Sequence, residues 1–286
     1  MSAVLSPAAW RARADAHAER ADALTADHRA RAVTGEKHPV WDFLFTYYSY
    51  KPAQLRRWHP GAGVTLQDAA ERRAWRWYSP GAEPGQALPD AAAYAAEKPE
   101  LAALVERLLR RTASRPAQFG CFGLHEWAMV YRADAHRHPV PLRLGQDGTD
   151  AVVEAHELRC THFDAFRFFT PAAVPRNRDL LTRDTQPARE QPGCLHAGMD
   201  LYRWAMKLGP LIPGELLLDT FELARDIRLL DMQAAPYELS AWGVEPVRIE
   251  TPEGKAEYVR RQRGFAERGA VLRQRMLDAW LGAAAP

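Results

Sequence analysis

Apolar positions dominate residues 214–233 and leave only a narrow polar edge. Glu215, Asp219, Glu222 and Asp226 recur at i, i+4, i+7 and i+11. At about 100° per residue these acids fall within a fan of roughly 60°. Leu216, Leu217, Leu218, Phe221, Leu223, Ala224, Ile227, Leu229 and Leu230 fill most of the remainder, interrupted by Arg225 and Arg228. A surface helix normally shows the reverse, a broad polar face and one apolar stripe. The pattern therefore predicts a largely buried helix with one acidic stripe. Either the stripe is that helix's solvated edge, or several acids point into a pocket and do chemistry. The first reading is favoured, because unpaired buried carboxylates are costly.

Ahead of it, CLHAGMDLYRWAMKL (194–208) predicts a second helix, on which His196 and Asp200, four apart, share a face. Gly209-Pro210 and Pro213-Gly214 supply the tight connection. Earlier in the chain, residues 7–32 are rich in Ala, Arg and Glu and predict an exposed helix. Residues 98–113 predict an amphipathic helix with Leu101, Leu104, Val105 and Leu108 on one face. Residues 118–132 open on a Gly-punctuated turn and become a short helix carrying His125 and Glu126. Thr251-Pro252-Glu253 is a helix start, an N-cap followed by Pro at N1. The helix it opens spans roughly 252–281 and closes the chain.

Strand signals are fewer. Residues 139–160 alternate around the turn residues Gln146-Asp147-Gly148-Thr149 and predict a β-hairpin. Residues 234–251 predict a turn and one more short strand, and the Pro/Gly-rich stretch within 62–97 a flexible insertion. The fold class expected is mainly α with a small β-hairpin or sheet. An N-terminal helix occupies 1–35 and a single helical catalytic or binding domain 36–286.

Composition narrows the class only a little. The 286 residues are 47% hydrophobic and 26% charged, ordinary for a globular protein. No stretch approaches the ~18 apolar residues of a membrane span. The N-terminus lacks the apolar core of a secretory signal, so a cytoplasmic protein without a membrane partner is expected. A net charge of +2 decides nothing about nucleic acid. Three cysteines do not suggest a disulfide framework. The aromatic residues are more informative because they cluster: Trp41, Phe43, Phe45, Tyr47, Tyr48, Tyr50 and Trp58 share residues 38–61. Such a run builds core or walls a slot for a flat ligand.

One coincidence concerns chemistry. Each cysteine is followed by a histidine and an acid: Cys121, His125, Glu126; Cys160, His162, Asp164; Cys194, His196, Asp200. Zinc accepts thiolate and imidazole together, although the spacing is not that of the common zinc motifs. A di-iron bundle needs Glu-x-x-His pairs, and position 225, three after Glu222, is Arg. A metal reading draws on His125, Glu126, His162, His196, Asp200, Glu222 and Asp226, with zinc or iron as the ion. A metal-free reading makes Asp164 or Asp200, backed by His162 or His196, a general base on water or a stabiliser of a developing oxocarbenium cation. Trp41, Phe45, Tyr48, Trp127, Phe163, Tyr202 and Tyr237 would then sandwich a planar base or nucleoside. Arg167, Arg176 and Arg178 could meet DNA phosphates, with Arg260, Arg261, Arg263, Arg268, Arg273 and Arg275 of the last helix. Taken singly, each Arg fits a solvated surface. Tyr237 sits in a Pro turn with Asp231 six residues earlier, and a buried Tyr needs a hydroxyl partner, which suggests a structural role first.

HPVWDFLFTYYSYKPAQLRRWHPG, CTHFDAFRFFTPAA, CLHAGMDLYRWAMKL and ELLLDTFELARDIRLLDMQAAPYEL resemble blocks of a bacterial family commonly labelled 3-methyladenine DNA glycosylase. The likeness covers roughly residues 36–262. It implies hydrolysis of the N-glycosidic bond of an alkylated purine, whose positive charge suits an aromatic, acid-lined pocket. The Gly-rich hairpin and following Asp of helix-hairpin-helix glycosylases are not found here, so the resemblance carries no catalytic residue across. The expected function is a DNA-base N-glycosylase or related N-glycosyl hydrolase. The alternatives are a metal-dependent oxidase or hydrolase and a non-catalytic ligand-binding protein. Without metal, no cofactor is expected.

Overall fold

The computed structural model describes residues 3–133 and 140–281. Helices dominate, with one small sheet, in agreement with the periodicity. In chain order the first helices are α1 (Pro7–Thr34), α2 (Phe43–Tyr47), α3 (Pro52–Leu55), α4 (Ala91–Glu97), α5 (Pro99–Ala113) and α6 (Leu124–Ala128). They are followed by α7 (Gly145–Glu154), α8 (Phe163–Phe166), α9 (Gln186–Arg189), α10 (Leu195–Leu208), α11 (Gly214–Gln233) and α12 (Pro252–Leu281).

The chain divides into two compact units. The first holds residues up to 110, residues 200–224 and those from 271 on; the second holds 111–199 and 225–270. The division does not fall at residue 35, since α1 belongs to the first unit. Helices α5, α10, α11 and α12 each contribute residues to both.

In the first unit, strands β1 (Ala3–Leu5), β2 (Val64–Leu66), β3 (Tyr78–Pro80) and β4 (Ala87–Pro89) form one sheet in the order β1-β2-β4-β3. β1 runs parallel to β2, with Leu5 opposite Leu66, and the other pairings are antiparallel. β3 and β4 bracket the Pro/Gly-rich stretch within 62–97, where the sequence predicts a flexible insertion. Three-residue strands are too short to show alternation, and Pro80 and Pro89 read as breakers although each ends a strand, Pro80 the edge strand β3 and Pro89 the inner strand β4. The sheet is held by packing: Trp10, Trp58, Leu66, Ala69, Tyr78 and Ala87 form one apolar cluster.

α1 is capped by Ser6, whose side chain accepts from the Ala9 N–H, and stopped by Gly35 in the left-handed conformation at φ 73. It is not exposed all round as predicted, for Trp10, His17, Ala21 and Thr25 are buried along one side. Its arginines account for the acidic stripe. Arg13 pairs with Glu215 at 2.8 Å, and Arg20 with Asp219 and Glu222 at 2.9 Å each. Arg275 of α12 reaches Asp219 at 2.8 Å. The stripe is thus a half-exposed seam of ion pairs rather than a set of free acids. Upstream, Asp42 gathers the end of α1 to the aromatic run. It accepts from Arg31 at 2.6 Å, His28 at 2.8 Å and the His38 N–H at 2.8 Å. Burial opposes its charge, but Arg31 and His28 outweigh that and lower its pKa to about 2.

In the second unit the expected hairpin over 139–160 is replaced by α7. Pro139 lies outside the described residues. Thr149, Val152 and Val153 are buried at helical spacing, and a short apolar run fits both periods. What remains of the strands is two isolated bridges, Leu142 with Tyr237 and Leu158 with Asn177. The expected strand in 234–251 likewise reduces to Tyr237 followed by a tight turn at Ser240–Trp242. Among the described residues, no helix is long and apolar enough to cross a membrane.

Candidate metal centre

One short helix and two helix ends supply the site in the second unit. His125 stands on α6, His196 in the first turn of α10 and Asp231 in the last turn of α11. One imidazole nitrogen from each histidine and one carboxylate oxygen all lie within 4.8 Å of one another. The three residues are 3%, 7% and 0% exposed.

Local backbone explains the convergence. Phe122 at φ 51 and Gly123 at φ 74 turn the chain through the left-handed region just before α6. For Phe122 that conformation costs about 1 kcal/mol or more. A Cβ on Gly123 would come within 3.2 Å of the Ala234 Cβ, so glycine lets α6 approach the chain after α11. Trp127 fastens the approach by donating its indole N–H to the Ala234 carbonyl at 2.8 Å. Gly198 does the same for α10: a Cβ there would lie 2.7 Å from the Ile227 Cδ1.

His125 Nε2 stands 2.9 Å from Asp231 Oδ1, while its Nδ1 stands 3.4 Å from Cys121 Sγ. The Arg228 guanidinium donates to Asp231 Oδ2 at 3.0 Å and to Glu126 Oε1 at 3.3 Å. The His196 ring meets His125 edge-on at 4.6 Å and stacks on His162 at 5.3 Å. His162 Nε2 in turn lies 3.3 Å from Glu190 Oε1, which also accepts from the Gln186 amide at 2.5 Å. Cys121 apart, these side chains are all nine-tenths buried or more.

Charges in so dry a place control one another. Burial disfavours the His125 cation, but the Asp231 charge and hydrogen bond, with Cys121, hold its pKa well above the ordinary histidine value. Burial would raise Asp231, yet His125, then His196 and Arg228, hold its carboxyl below the usual range. Glu126 is pushed up by burial and by the Asp231 charge. Burial also raises the Cys160 thiol strongly and the Cys194 thiol to about 12. Among the described residues, the ligand atoms that converge belong to histidines and carboxylates.

The other sequence-predicted residues are distributed as follows. In the first unit, Asp200 accepts from the Tyr48 hydroxyl at 2.8 Å and from Arg203 at 3.4 Å. Tyr48 and Tyr50 meet the Tyr202 ring edge-on, Tyr202 meets Phe221, and Phe45 tilts against Phe221 at 5.7 Å. The fully buried Tyr202 hydroxyl has no hydrogen-bond partner among the described residues. Trp41 tilts against His38, and Glu222 is held by Arg20. In the second unit, Asp164 pairs with Arg167 at 3.2 Å and Arg183 at 4.0 Å, and Arg183 also covers the Phe163 ring. Trp127 and Tyr237 are core, and Asp226 is exposed and paired with Arg268.

Several arginines considered as phosphate contacts are engaged inside their own unit. Arg176 donates to the carbonyls of Val153 and Glu154. Arg178 faces Asp179, Arg260 pairs with Glu257, and Arg261 donates to Gln233.

Sequence reasoning missed Asp231 as a ligand, and with it Arg228 and Glu190. Asp231 lies 16 residues after Glu215, roughly 160° around the helix at 100° per residue. Arg228 precedes it by three and shares that face. An acid and a base on the apolar side of α11 were the available signal. No protein-family model, curated protein or solved structure matches this chain.

Proposed function

We propose that the protein is a metal-dependent hydrolase, with a divalent transition metal of the zinc or iron type held by His125, His196 and Asp231. One observation carries this reading. Three ligand atoms lie within 4.8 Å of one another in a buried setting, and two of the ligands are already held from behind. Cys121 Sγ engages the far nitrogen of His125, and Arg228 the far oxygen of Asp231. Metal-binding histidines and carboxylates are oriented by outer partners in this way. Two imidazoles and one carboxylate leave coordination positions open for water or substrate. A metal bound there supplies Lewis acidity and lowers the pKa of bound water to about 7. Glu126, adjacent to His125 and raised by burial, is the residue suited to accept the proton of the attacking water. Arg228 steadies both carboxylates and keeps their orientation while the proton moves.

The test is elemental analysis of protein purified without a metal-affinity step. At least one zinc, iron or manganese per chain is expected, together with hydrolytic activity that a chelator removes and the metal restores. Asp231→Asn should lose that ion while keeping the melting profile of a folded protein. Protein that remains metal-free after incubation with each of these ions overturns the reading.

A second reading, N-glycosyl hydrolysis of a planar alkylated base, rests on a separate observation in the first unit. The Asp200 carboxylate is 2% exposed, and Tyr48, which donates to it, packs with Tyr50 and Phe221 against Tyr202. Aromatic faces beside a carboxylate suit a cationic purine ring. The likeness to the glycosylase-labelled family supports the same chemistry. A duplex containing methylated adenine should then yield abasic sites, and Asp200→Asn should abolish them. Intact duplex after prolonged incubation with the wild-type protein would remove this reading.

A further inference from the structure

We infer that the centre is dinuclear, with His162 and Glu190 holding a second divalent cation next to the first. The inference rests on the metal reading above and extends it. His162 Nε2 and Glu190 Oε1 are 3.3 Å apart, and the two residues are 1% and 2% exposed. An imidazole nitrogen and a carboxylate oxygen at that separation are placed as neighbouring ligands of one ion are. The pair adjoins the first site directly, because the His162 ring stacks on His196 at 5.3 Å with 27° between their planes. Roughly parallel imidazoles at that spacing direct their nitrogens to neighbouring positions. Two-metal centres hold their ions about 3.5–4 Å apart.

Charge argues in the same direction. Glu126, Glu190 and Asp231 bring three carboxyl groups into the cluster, and the Arg228 guanidinium faces two of them, Glu126 and Asp231. Glu190 faces His162 and is oriented by the Gln186 amide, a neutral group. Arg115 reaches only the Glu190 backbone carbonyl. A carboxylate so completely buried is expensive unless paired with positive charge or coordinating a metal. The Gln186 amide fixes that carboxylate by donating to the same oxygen, Oε1, that faces His162.

The experiment counts ions. Full-length protein is stripped with chelator and titrated with Mn2+ or Co2+, and bound ions are counted by native mass spectrometry. Wild type should take two ions per chain. Glu190→Gln and His162→Ala should each take one, and Asp231→Asn should also fall to one. The Mn2+-loaded wild type should give the electron paramagnetic resonance spectrum of an exchange-coupled pair, a readout that needs no variant to fold. Saturation at one ion, with Glu190→Gln unchanged, overturns the second site and leaves the metal reading standing. Binding of none overturns both. Two ions with uncoupled spectra overturn their adjacency.

Discussion

At the scale of single residues, the proposed metal site requires protons to move. Burial opposes the His125 cation, but the Asp231 charge and hydrogen bond hold its pKa above the ordinary histidine range, and the proposed metal competes with that proton for the same imidazole. Metal binding must therefore release it. Titration calorimetry with Zn2+ in two buffers of different ionisation enthalpy should give heats that differ, with affinity rising as pH rises. Equal heats in both buffers would show that no proton leaves. Cys121 is the partner on the other nitrogen, and outer partners of metal ligands typically matter by about 10–100-fold in affinity. Cys121→Ala should weaken the metal by that range, and Cys121→Ser by less.

His59, in the first unit, gives a pH effect with the opposite bearing. Burial, then the Arg72 and Arg57 charges, lower its pKa to about 3, with Nδ1 held 2.9 Å from the Tyr78 hydroxyl. The unfolded value is about 6.5. Between these limits the unfolded chain binds the extra proton, so stability present above pH ~6.5 is lost as pH falls and levels off below about 3. The loss at pH 4.5 is on the order of 2 kcal/mol. Urea melts of wild type and His59→Gln at pH 7 and 4.5 should show a smaller acid loss in the variant. The histidines were legible because the Cys/His/acid grouping recurs three times, and His125, His162 and His196 do come together. Asp231 was not legible as a ligand, because its face of α11 is otherwise apolar and reads as core.

At the scale of elements, the acidic stripe shows what a helical pattern holds and what it omits. Its period predicted α11. Its partners stand on other helices, where Arg13 and Arg20 are seven apart on α1 and Arg268 and Arg275 seven apart on α12. Each set repeats every two turns, so the complementarity exists in the sequence but only becomes readable once the helices are known to pack. Arg20 serves two acids that remain about a third exposed. Arg20→Ala should cost about 1 kcal/mol in low salt and less in 1 M salt, because exposed pairs are weak and screened. An undiminished cost in high salt would argue against the ion-pair account.

The start of α12 is more demanding. A Cβ on Gly254 would lie 1.9 Å from the Arg248 carbonyl oxygen, while its N–H is held by Thr251 Oγ1 at 3.1 Å. Gly254→Ala should cost on the order of 3 kcal/mol, read as a fall in the thermal midpoint. No change would contradict the close approach of Gly254 to the Arg248 carbonyl. The hairpin read into 139–160, and the absence of strand signals beside the Pro/Gly-rich stretch within 62–97, share one reason. Runs of three to five residues carry too few positions to separate a period of 2 from one of 3.6.

At the scale of the whole molecule, the fold class was legible and the division into units was not. Domain boundaries are sought in polar, Pro- or Gly-rich linkers. Here they fall inside α5, α10, α11 and α12, whose sequences give no sign of a break. The aromatic run and Asp200 belong to the first unit, and the histidine cluster to the second. The central claim concerns the second unit alone. Anomalous diffraction at the metal edge, from crystals of protein purified without a metal-affinity step, tests it most directly. The account predicts a peak bonded to His125, His196 and Asp231 at about 2.0–2.2 Å. A map in which those three side chains contact one another with no peak among them, in protein supplied with metal, would contradict it.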